Sequence, residues 1–261
     1  MLPPVLYHYF PLPIPYPRAL ALQQRIFQLQ LTHRKNSNAH KDYLLLLQHR
    51  PVYTAGRRQT ESTTRLERDR LTAIGADFVN TQRGGETTYH GPGQIVGYPL
   101  LDLSRPTPTM GIRDYICHLQ KTLQAHLRER HGINHVASEH TGIFLSPTSK
   151  IASIGVQVRH RLTTHGFAVN VTKEPRAWFD QIVACGLVDV TAGSVEDVVG
   201  EGVVLEEEIG PLVSSFGKQL GREMARMVPE EEGEVGREIA AVEEEARALG
   251  AWARKPTPVG A

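Results

Sequence analysis

The stretch that decides the fold is RGGETTYHGPGQIVG, residues 83–97. It holds five glycines and runs directly into the apolar pair Ile95-Val96. Glycine loses more conformational freedom on folding than any other residue, so a dense cluster indicates a backbone that turns tightly or closely approaches another group. One interpretation is a glycine-rich turn between two strands. Arg83, Tyr89 and His90 favour a second one, in which the loop contacts a polar ligand.

The composition is ordinary for a soluble globular protein. The chain has 261 residues, of which 40% are hydrophobic and 22% charged, and this fits one large domain or two small ones. No apolar run approaches the ~20 residues that span a bilayer, so we expect no membrane partner. The two cysteines, Cys117 and Cys185, are too few for a disulfide framework or a cysteine-rich zinc site. A reducing compartment is therefore expected.

The small net charge of +1 hides an asymmetry along the chain. Residues 1–200 carry 22 Lys/Arg against 15 Asp/Glu, a balance of +7, and residues 201–261 carry 7 against 13, a balance of −6. A basic body suits an acidic partner, either nucleic acid or an acidic carrier protein. The basic residues are scattered rather than interleaved with aromatic ones, which disfavours nucleic acid. The first 41 residues contain no Asp or Glu and five Lys/Arg, a bias of mitochondrial targeting segments, although their proline content opposes this interpretation.

The pattern along the chain predicts a mixed sheet flanked by helices, in the α/β (α+β) class. Strands and helices do not alternate strictly, which argues against a purely parallel sheet. Beyond Pro229 the chain is rich in glutamate and weakly apolar. We therefore predict a catalytic domain over residues 1–228 and a mobile or loosely helical extension over residues 229–261. Helices are predicted from Pro17, over 109–131 and over 209–224, and strands over 42–49, 95–101, 142–145, 150–158 and 166–171.

Three junctions between strands and loops each carry a reactive group. Cys185 lies in the sequence ACG, Lys150 begins the strand KIASIGVQV, and His165 begins another strand in THGFAVNV. A cysteine is nucleophilic only as the thiolate, which needs a nearby cation or helix N-terminus. Taken singly, Cys185 could be a small buried apolar residue, like Cys117 beside the apolar face of the long helix, and Lys150 a solvated strand end. Together they indicate one site at one edge of a sheet.

Several common catalytic motifs are absent from the sequence. It has no GxxxxGK[ST] phosphate loop, no HxH or HExxH spacing for a metal, and no GxSxG elbow. We therefore expect no metal and no cofactor. A Cys-His hydrolase stays possible, but the surroundings typical of cysteine proteases are missing.

Three ordered blocks resemble the lipoyl(octanoyl) transferase family, the octanoyl-carrier-protein:protein octanoyltransferases of lipoate biosynthesis. RGGETTYHGPGQIVGYPL (83–100) is similar to the family signature almost throughout. KIASIGVQVRHRLTTHGFAVNV (150–171) resembles the second block and ACGL (184–187) the third. Together with GRR at 56–58, the resemblance covers about residues 5–225.

This resemblance implies a fold, a reaction and a set of site residues. The fold would be that of the biotin/lipoate protein ligase catalytic domain. Cys185 would be the acyl-thioester nucleophile, and Lys150 would depress the pKa of Cys185 and shuttle protons. The substrate pocket would be lined by Arg83, Gly84, Gly85, Glu86, Thr87, Thr88, Tyr89, His90, Ser153, Ile154, Gly155, His165, Gly166, Phe167 and Ala168.

The resemblance also implies partners and a location. The donor would be octanoyl-acyl-carrier protein, and the acceptors would be apo lipoyl domains of 2-oxoacid dehydrogenases and the glycine-cleavage H protein. The compartment would be the mitochondrion in a eukaryote and the cytoplasm in a bacterium. Two alternatives remain. An ATP-dependent lipoate or biotin ligase would activate the free acid without a cysteine, and a non-catalytic acyl- or lipoyl-domain-binding module would form no covalent adduct.

Overall fold

The computed structural model describes residues 2–36, 40–187 and 189–257. Its strands are β1 (Val5–Tyr9), β2 (Asp42–Leu47), β3 (Val52–Ala55), β4 (Asp77–Asn80), β5 (Thr88–His90), β6 (Gln94–Leu100), β7 (Ile143–Ser146), β8 (Ser149–Arg159), β9 (Leu162–Asn170), β10 (Thr191–Ala192) and β11 (Met224–Arg226). Its helices are α1 (Tyr16–Asn36), α2 (Glu61–Ala73), α3 (Ile112–His131), α4 (Arg176–Phe179), α5 (Val195–Val199), α6 (Leu205–Leu220) and α7 (Gly233–Ala248). Short 3-10 turns lie at Ala184–Gly186 and Pro229–Glu231.

A large mixed sheet forms the centre of the molecule. Its strand order is β10-β8-β9-β6-β2-β1-β11, with β7 paired to β8 outside this path. The pairs β2–β6, β6–β9, β8–β9 and β7–β8 are antiparallel, whereas β1–β2, β1–β11 and β8–β10 are parallel. The expected mixed sheet with flanking helices is confirmed.

The sheet is buried on both faces, which explains the unbroken apolar run of residues 43–47 in β2. Leu44 and Leu46 point to the core under α3 and α6, and Leu45 and Leu47 point to the core under α1 and α7. Successive side chains on a strand alternate between faces, so a strand covered on both sides needs apolar residues at every position. None of the described helices combines the length and the apolar character needed to cross a membrane.

A second, three-stranded sheet in the order β4-β3-β5 supports the loop that begins at Arg83. Its core contains Tyr53, Tyr89 and Trp178, and the rings of Tyr89 and Trp178 stack at 5.3 Å. The Tyr53 hydroxyl donates to the Trp178 carbonyl at 2.7 Å, which ties β3 to α4. This aromatic cluster places α4, and the chain leading to the 3-10 turn at Ala184, beside the small sheet.

The glutamate-rich extension, for which we expected a mobile or loosely helical segment, contains a helix that packs on the rest of the chain. Residues 233–248 form α7, whose buried residues Val235, Ile239, Val242 and Ala246 pack into the core that also contains α1. Their spacing places them on one face of a helix, while the glutamates form ion pairs around it. Glu245 lies 2.6 Å from Arg18, and Glu243 lies 3.0 Å from His8.

Cys117 also differs from its expected burial. It lies on α3 and is exposed to solvent. The buried stripe of this helix includes Tyr115, Leu119 and Thr122, and Cys117 lies between two of these positions on the outer side of the helix.

Candidate active site

The glycine-rich loop packs against both sheets through its own backbone. The Gly84 N–H donates to the Val156 carbonyl of β8 at 3.1 Å. A Cβ placed on Gly56 would overlap the Gly85 carbonyl, with its carbon only 2.7 Å away. Gly85 has a φ of +90°, a conformation that side chains disfavour. These glycines therefore allow two backbones to touch, as the density of glycine predicted.

Arg83 holds the loop in shape. Its side chain is buried, and it donates to the Thr54 hydroxyl of β3 at 2.8 Å and to the carbonyls of Gly84 and Glu86 at 3.0 and 2.9 Å. The guanidinium thus satisfies carbonyls that would otherwise lack partners inside the loop. Its positive charge also contributes to lowering the pKa of His90 and His165.

Most of the residues expected in the substrate pocket surround one small cavity of about 50 Å³. A volume of this size holds roughly four water-sized groups. The cavity lies where the glycine-rich loop meets β8 and β9. It is lined by Tyr16, Arg83, Gly84, Gly85, Thr88, His90, Tyr98, Ser153, Ile154, Gly155, His165, Gly166, Phe167 and Ala168.

The two histidines and Tyr16 at this cavity are uncharged at neutral pH, and Arg83 is the charged residue of the lining. Burial, with a smaller effect from Arg83, lowers the pKa of His165 to about 3. Burial also lowers the pKa of His90 well below its ordinary value, with a smaller contribution from His49 and Arg83. The Tyr16 hydroxyl lies 3.4 Å from His165 Nδ1, and burial raises the pKa of this tyrosine to about 12. Because the histidines are neutral and the Arg83 guanidinium already donates to the Thr54 hydroxyl and to loop carbonyls, the cavity suits an apolar occupant better than an ionic one.

Two glycines on neighbouring strands line the small cavity, and we call them the glycine wall (Gly155 and Gly166). Gly155 and Gly166 face each other across β8 and β9. A Cβ on Gly166 would lie 2.6 Å from Pro99 Cδ, and one on Gly97 of β6 would overlap the Phe167 ring. The wall is therefore backbone, and the Phe167 ring fills the space beside Gly97.

Two cavity residues, Tyr16 and Tyr98, were not singled out from the sequence. Tyr98 lies inside the motif of residues 83–100, and its hydroxyl bonds His49 Nε2 at 2.6 Å. Tyr16 begins α1, far from the motif in sequence, and reaches the cavity only because α1 packs on β6 and β9. The motif could have indicated Tyr98, whereas no local signal pointed to Tyr16.

A larger cavity of about 550 Å³ adjoins the small one. The two share Gly84, Gly85, Ile154 and Gly155. The large cavity is also lined by Lys150, Glu86 and Leu187, among other residues. Lys150 lies at the start of β8, with Nζ 5.3 Å from the centre of the Phe144 ring. A ligand in the small cavity would therefore lie next to the cavity that contains Lys150.

The turn that contains Cys185 lies at the edge of the large cavity. The Cys185 backbone forms the 3-10 turn Ala184–Gly186, and its side chain lies outside the described part of the structure. The Glu86 carboxylate lies beside Gly186, where a Cβ would overlap one of its oxygens. After the turn, β10 pairs with the start of β8, and the Gly193 N–H donates to the Lys150 carbonyl at 2.9 Å. The fold thus brings the loop, the Lys150 strand and the cysteine turn together.

Two expected pocket residues lie elsewhere. Tyr89 is buried in the aromatic cluster of the small sheet. Thr87 faces Gln59, whose amide donates to its hydroxyl at 3.0 Å. Both positions support the glycine-rich loop from behind rather than lining either cavity.

One group among the described residues has the composition of a metal site. The ligand atoms of His126, His131 and Glu208 lie within 4.8 Å of one another, between α3 and α6, and none of the three lines either cavity. Burial favours a neutral Glu208, but hydrogen bonds from the two histidines lower its pKa overall. Arg130 Nε lies 3.6 Å from the same carboxylate. These contacts describe a buried carboxylate that joins two helices.

Residues 15–217 match the family model described as lipoyl protein ligase A/B catalytic domain. The chain belongs to this family. Its relatives in the family include a zebrafish (Danio rerio) protein named octanoyl-[acyl-carrier-protein]:protein N-octanoyltransferase LIPT2, mitochondrial, which is 37% identical over 207 residues, covering 79% of this chain and 88% of that protein. An octanoyltransferase of Caldicellulosiruptor saccharolyticus is 36% identical over 210 residues, covering 80% of this chain and 86% of that protein.

Solved structures of lipoate protein ligases share the fold. A putative lipoate protein ligase from T. acidophilum with bound lipoic acid superposes with a TM-score of 0.62 at 18% identity, covering 92% of this chain and 95% of that one. A lipoate-protein ligase A bound with ATP gives a TM-score of 0.60 at 17% identity, covering 92% and 94%. The likeness at these identities confirms the expected fold of the lipoyl ligase family.

Proposed function

We propose that this protein is an octanoyltransferase that moves an octanoyl group from octanoyl-acyl-carrier protein to a lysine ε-amine on apo lipoyl domains. The observation that carries the proposal is the meeting of the glycine-rich loop, Lys150 and the turn of Cys185 around one large cavity. The small cavity supplies a recess with neutral histidines beside it. The names of the relatives supply the identity of the acyl group.

The acyl chain would lie along the glycine wall. The small cavity holds only part of an eight-carbon chain, so the chain would run over the shared residues Gly84, Gly85, Ile154 and Gly155 into the large cavity. Neutral His90 and His165 offer no charge that an alkyl chain would have to desolvate. The carbonyl end of the chain would then lie towards Lys150 and the cysteine turn.

In the first half-reaction, the Cys185 thiolate attacks the thioester carbonyl of the donor. A new carbon–sulfur bond forms and the old one breaks. The carrier leaves as a thiol with a proton from the Lys150 ammonium group, so Lys150 is neutral after this step. One thioester replaces another, so the step needs no ATP. The positive charge of Lys150 would stabilise the thiolate.

In the second half-reaction, the lysine ε-amine of a lipoyl domain attacks the octanoyl-Cys185 thioester. An amide bond forms and the Cys185 thiolate leaves. The proton lost by the amine passes to Lys150, which acts as general base. The acceptors would be lipoyl domains of 2-oxoacid dehydrogenases and the glycine-cleavage H protein, in the mitochondrion of a eukaryote or the cytoplasm of a bacterium.

Intact-protein mass spectrometry after incubation with octanoyl-acyl-carrier protein tests the covalent step. The wild type should gain one octanoyl group, and Cys185→Ala should gain none. Cys117→Ser is the matched control, because Cys117 is exposed on α3 and should not carry the acyl group. An adduct that persists in Cys185→Ala would remove the assignment. ATP-dependent use of free octanoate in the same variant would instead favour a ligase.

The role of Lys150 is tested separately by the pH dependence of alkylation. In a Cys117→Ser background, iodoacetamide reports on Cys185 alone. Lys150→Ala should move the alkylation profile to higher pH, because the thiolate loses its neighbouring cation. Lys121→Ala, an exposed lysine on α3, is the control. Identical profiles for the Lys150 variant and the wild type would contradict the role.

A further inference from the structure

The lining of the large cavity carries a concentration of positive charge, most of which the proposed reaction does not use. Arg57 and Arg58 lie on the loop between β3 and α2, and Arg159 lies at the end of β8. With Lys150 they place four cationic side chains around the cavity, against one carboxylate, that of Glu86. This balance favours an anionic group in the cavity.

The described residues pair these charges only weakly. In the described parts of the chain, the Arg57 side chain has no ion pair or hydrogen bond. Arg58 lies 3.6 Å from Glu86, but their side chains are 72% and 43% exposed, so the pair is weak. The Arg159 guanidinium lies 4.3 Å over the Phe27 ring and has no carboxylate partner among the residues that the structure describes. The two loop arginines are thus available to an incoming anion.

The backbone of the arginine loop is held in a fixed position. The Arg57 N–H donates to the Arg83 carbonyl at 3.0 Å, which attaches this loop to the glycine-rich loop. Gly56 packs on Gly85 at the same point. Both guanidinium groups therefore extend from a backbone that is fixed relative to the acyl cavity. A fixed pair of planar donors is well suited to the tetrahedral oxygens of a phosphate.

We propose that Arg57 and Arg58 form a subsite for the phosphate of the phosphopantetheine arm that carries the donor acyl group. This inference rests on the proposed function. Acyl carriers hold their thioester on such an arm, with the sulfur at one end and a phosphate ester at the other. With the thioester at the cysteine turn, an arm that leaves through the large cavity would pass the loop arginines, which line this cavity together with Leu187. The subsite would fix the arm so that the thioester is presented to Cys185.

Two small donors that differ only in the phosphate test the subsite without any carrier protein. These are S-octanoyl-4′-phosphopantetheine and S-octanoyl-pantetheine, and the measured quantity is kcat/KM for formation of the octanoyl-enzyme. The wild type should prefer the phosphorylated donor. In the Arg57→Ala/Arg58→Ala double variant, we expect the ratio of kcat/KM between the two donors to fall about tenfold. The Arg57→Lys/Arg58→Lys variant should restore part of it, because charge returns without the planar donors.

Arg128→Ala is the matched control. Arg128 is exposed and lies sixteen residues along α3 from the cavity residue Ile112, a distance of about 24 Å along a helix. The donor ratio should not change in this variant. Because Arg57 and Arg58 are both exposed, their replacement should leave the melting temperature close to that of the wild type.

Three outcomes would overturn the subsite. Equal losses with both small donors would mean that the arginines shape the loop rather than bind phosphate. A loss confined to octanoyl-acyl-carrier protein would mean that they contact the carrier surface. A wild type that forms no adduct with any of the three donors would refute the proposed function itself, and the subsite with it.

Discussion

Replacing Gly166 by alanine should destabilise the protein by about 3 kcal/mol. The new Cβ would lie 2.6 Å from Pro99 Cδ and 3.1 Å from the Gly97 carbonyl carbon, and nearer still to the Gly97 oxygen. Cβ contacts below 3.0 Å are essentially never seen, so Pro99 must recede by about 0.4 Å and the oxygen by more. Both atoms belong to β6, which pairs with β9. The strands must separate and strain or lose their hydrogen bonds.

Thermal unfolding measures this cost. For a chain of this size, 3 kcal/mol lowers the melting temperature by roughly 6–12 °C. Gly84→Ala is the matched control, because the nearest atom to its new Cβ, the Val156 oxygen, lies at an ordinary 3.6 Å. The Gly84→Ala variant should melt within about 2 °C of the wild type. If Gly166→Ala melted no lower than Gly84→Ala, the close contact between β6 and β9 at this glycine would be refuted.

Stability should fall as the pH drops below about 6.5, because His165 has a pKa of about 3 in the folded protein and an ordinary one when unfolded. The stability that neutral His165 contributes is complete above pH 6.5 and is lost towards acid at up to about 1.4 kcal/mol per pH unit. The free energy of unfolding of His165→Gln, measured with urea, should therefore fall less steeply between pH 7 and 5 than that of the wild type. Ile239→Ala should cost about 2–5 kcal/mol, because Ile239 is fully buried between α7 and the sheet. Exposed Arg237→Ala is its control, and equal melting temperatures for the two variants would show that α7 does not contribute to the core.

The parts of the fold that the sequence predicted best depend on local signals. The apolar run of β2, the helix over 112–131 and the strand after the glycine-rich loop were each indicated by the spacing of their own residues. The extension was harder to interpret, although Val235, Ile239 and Val242 follow helical spacing. Its many glutamates are typical of a solvated tail. The apolar residues become informative only once the structure shows that α1 packs against them.

The missed elements depend on contacts between distant parts of the chain. β1 lies in a proline-rich segment, and it is a strand because it pairs with β2 on one side and β11 on the other. β10 has only two residues, too few for any pattern, yet it fixes the chain after Cys185 beside Lys150. The motifs therefore named the residues of the candidate site, but the pairing that joins them could not be inferred from any one segment.

Substitutions at the glycine wall can reduce the volume of the small cavity but cannot increase it. Gly155 and Gly166 have no side-chain atoms left to remove, so every substitution there narrows the cavity. More room has to come from trimming neighbours such as Ile154 or Phe167, which line the same cavity. Variants selected for a bulkier occupant should therefore accumulate changes at those two side chains and leave the two glycines untouched.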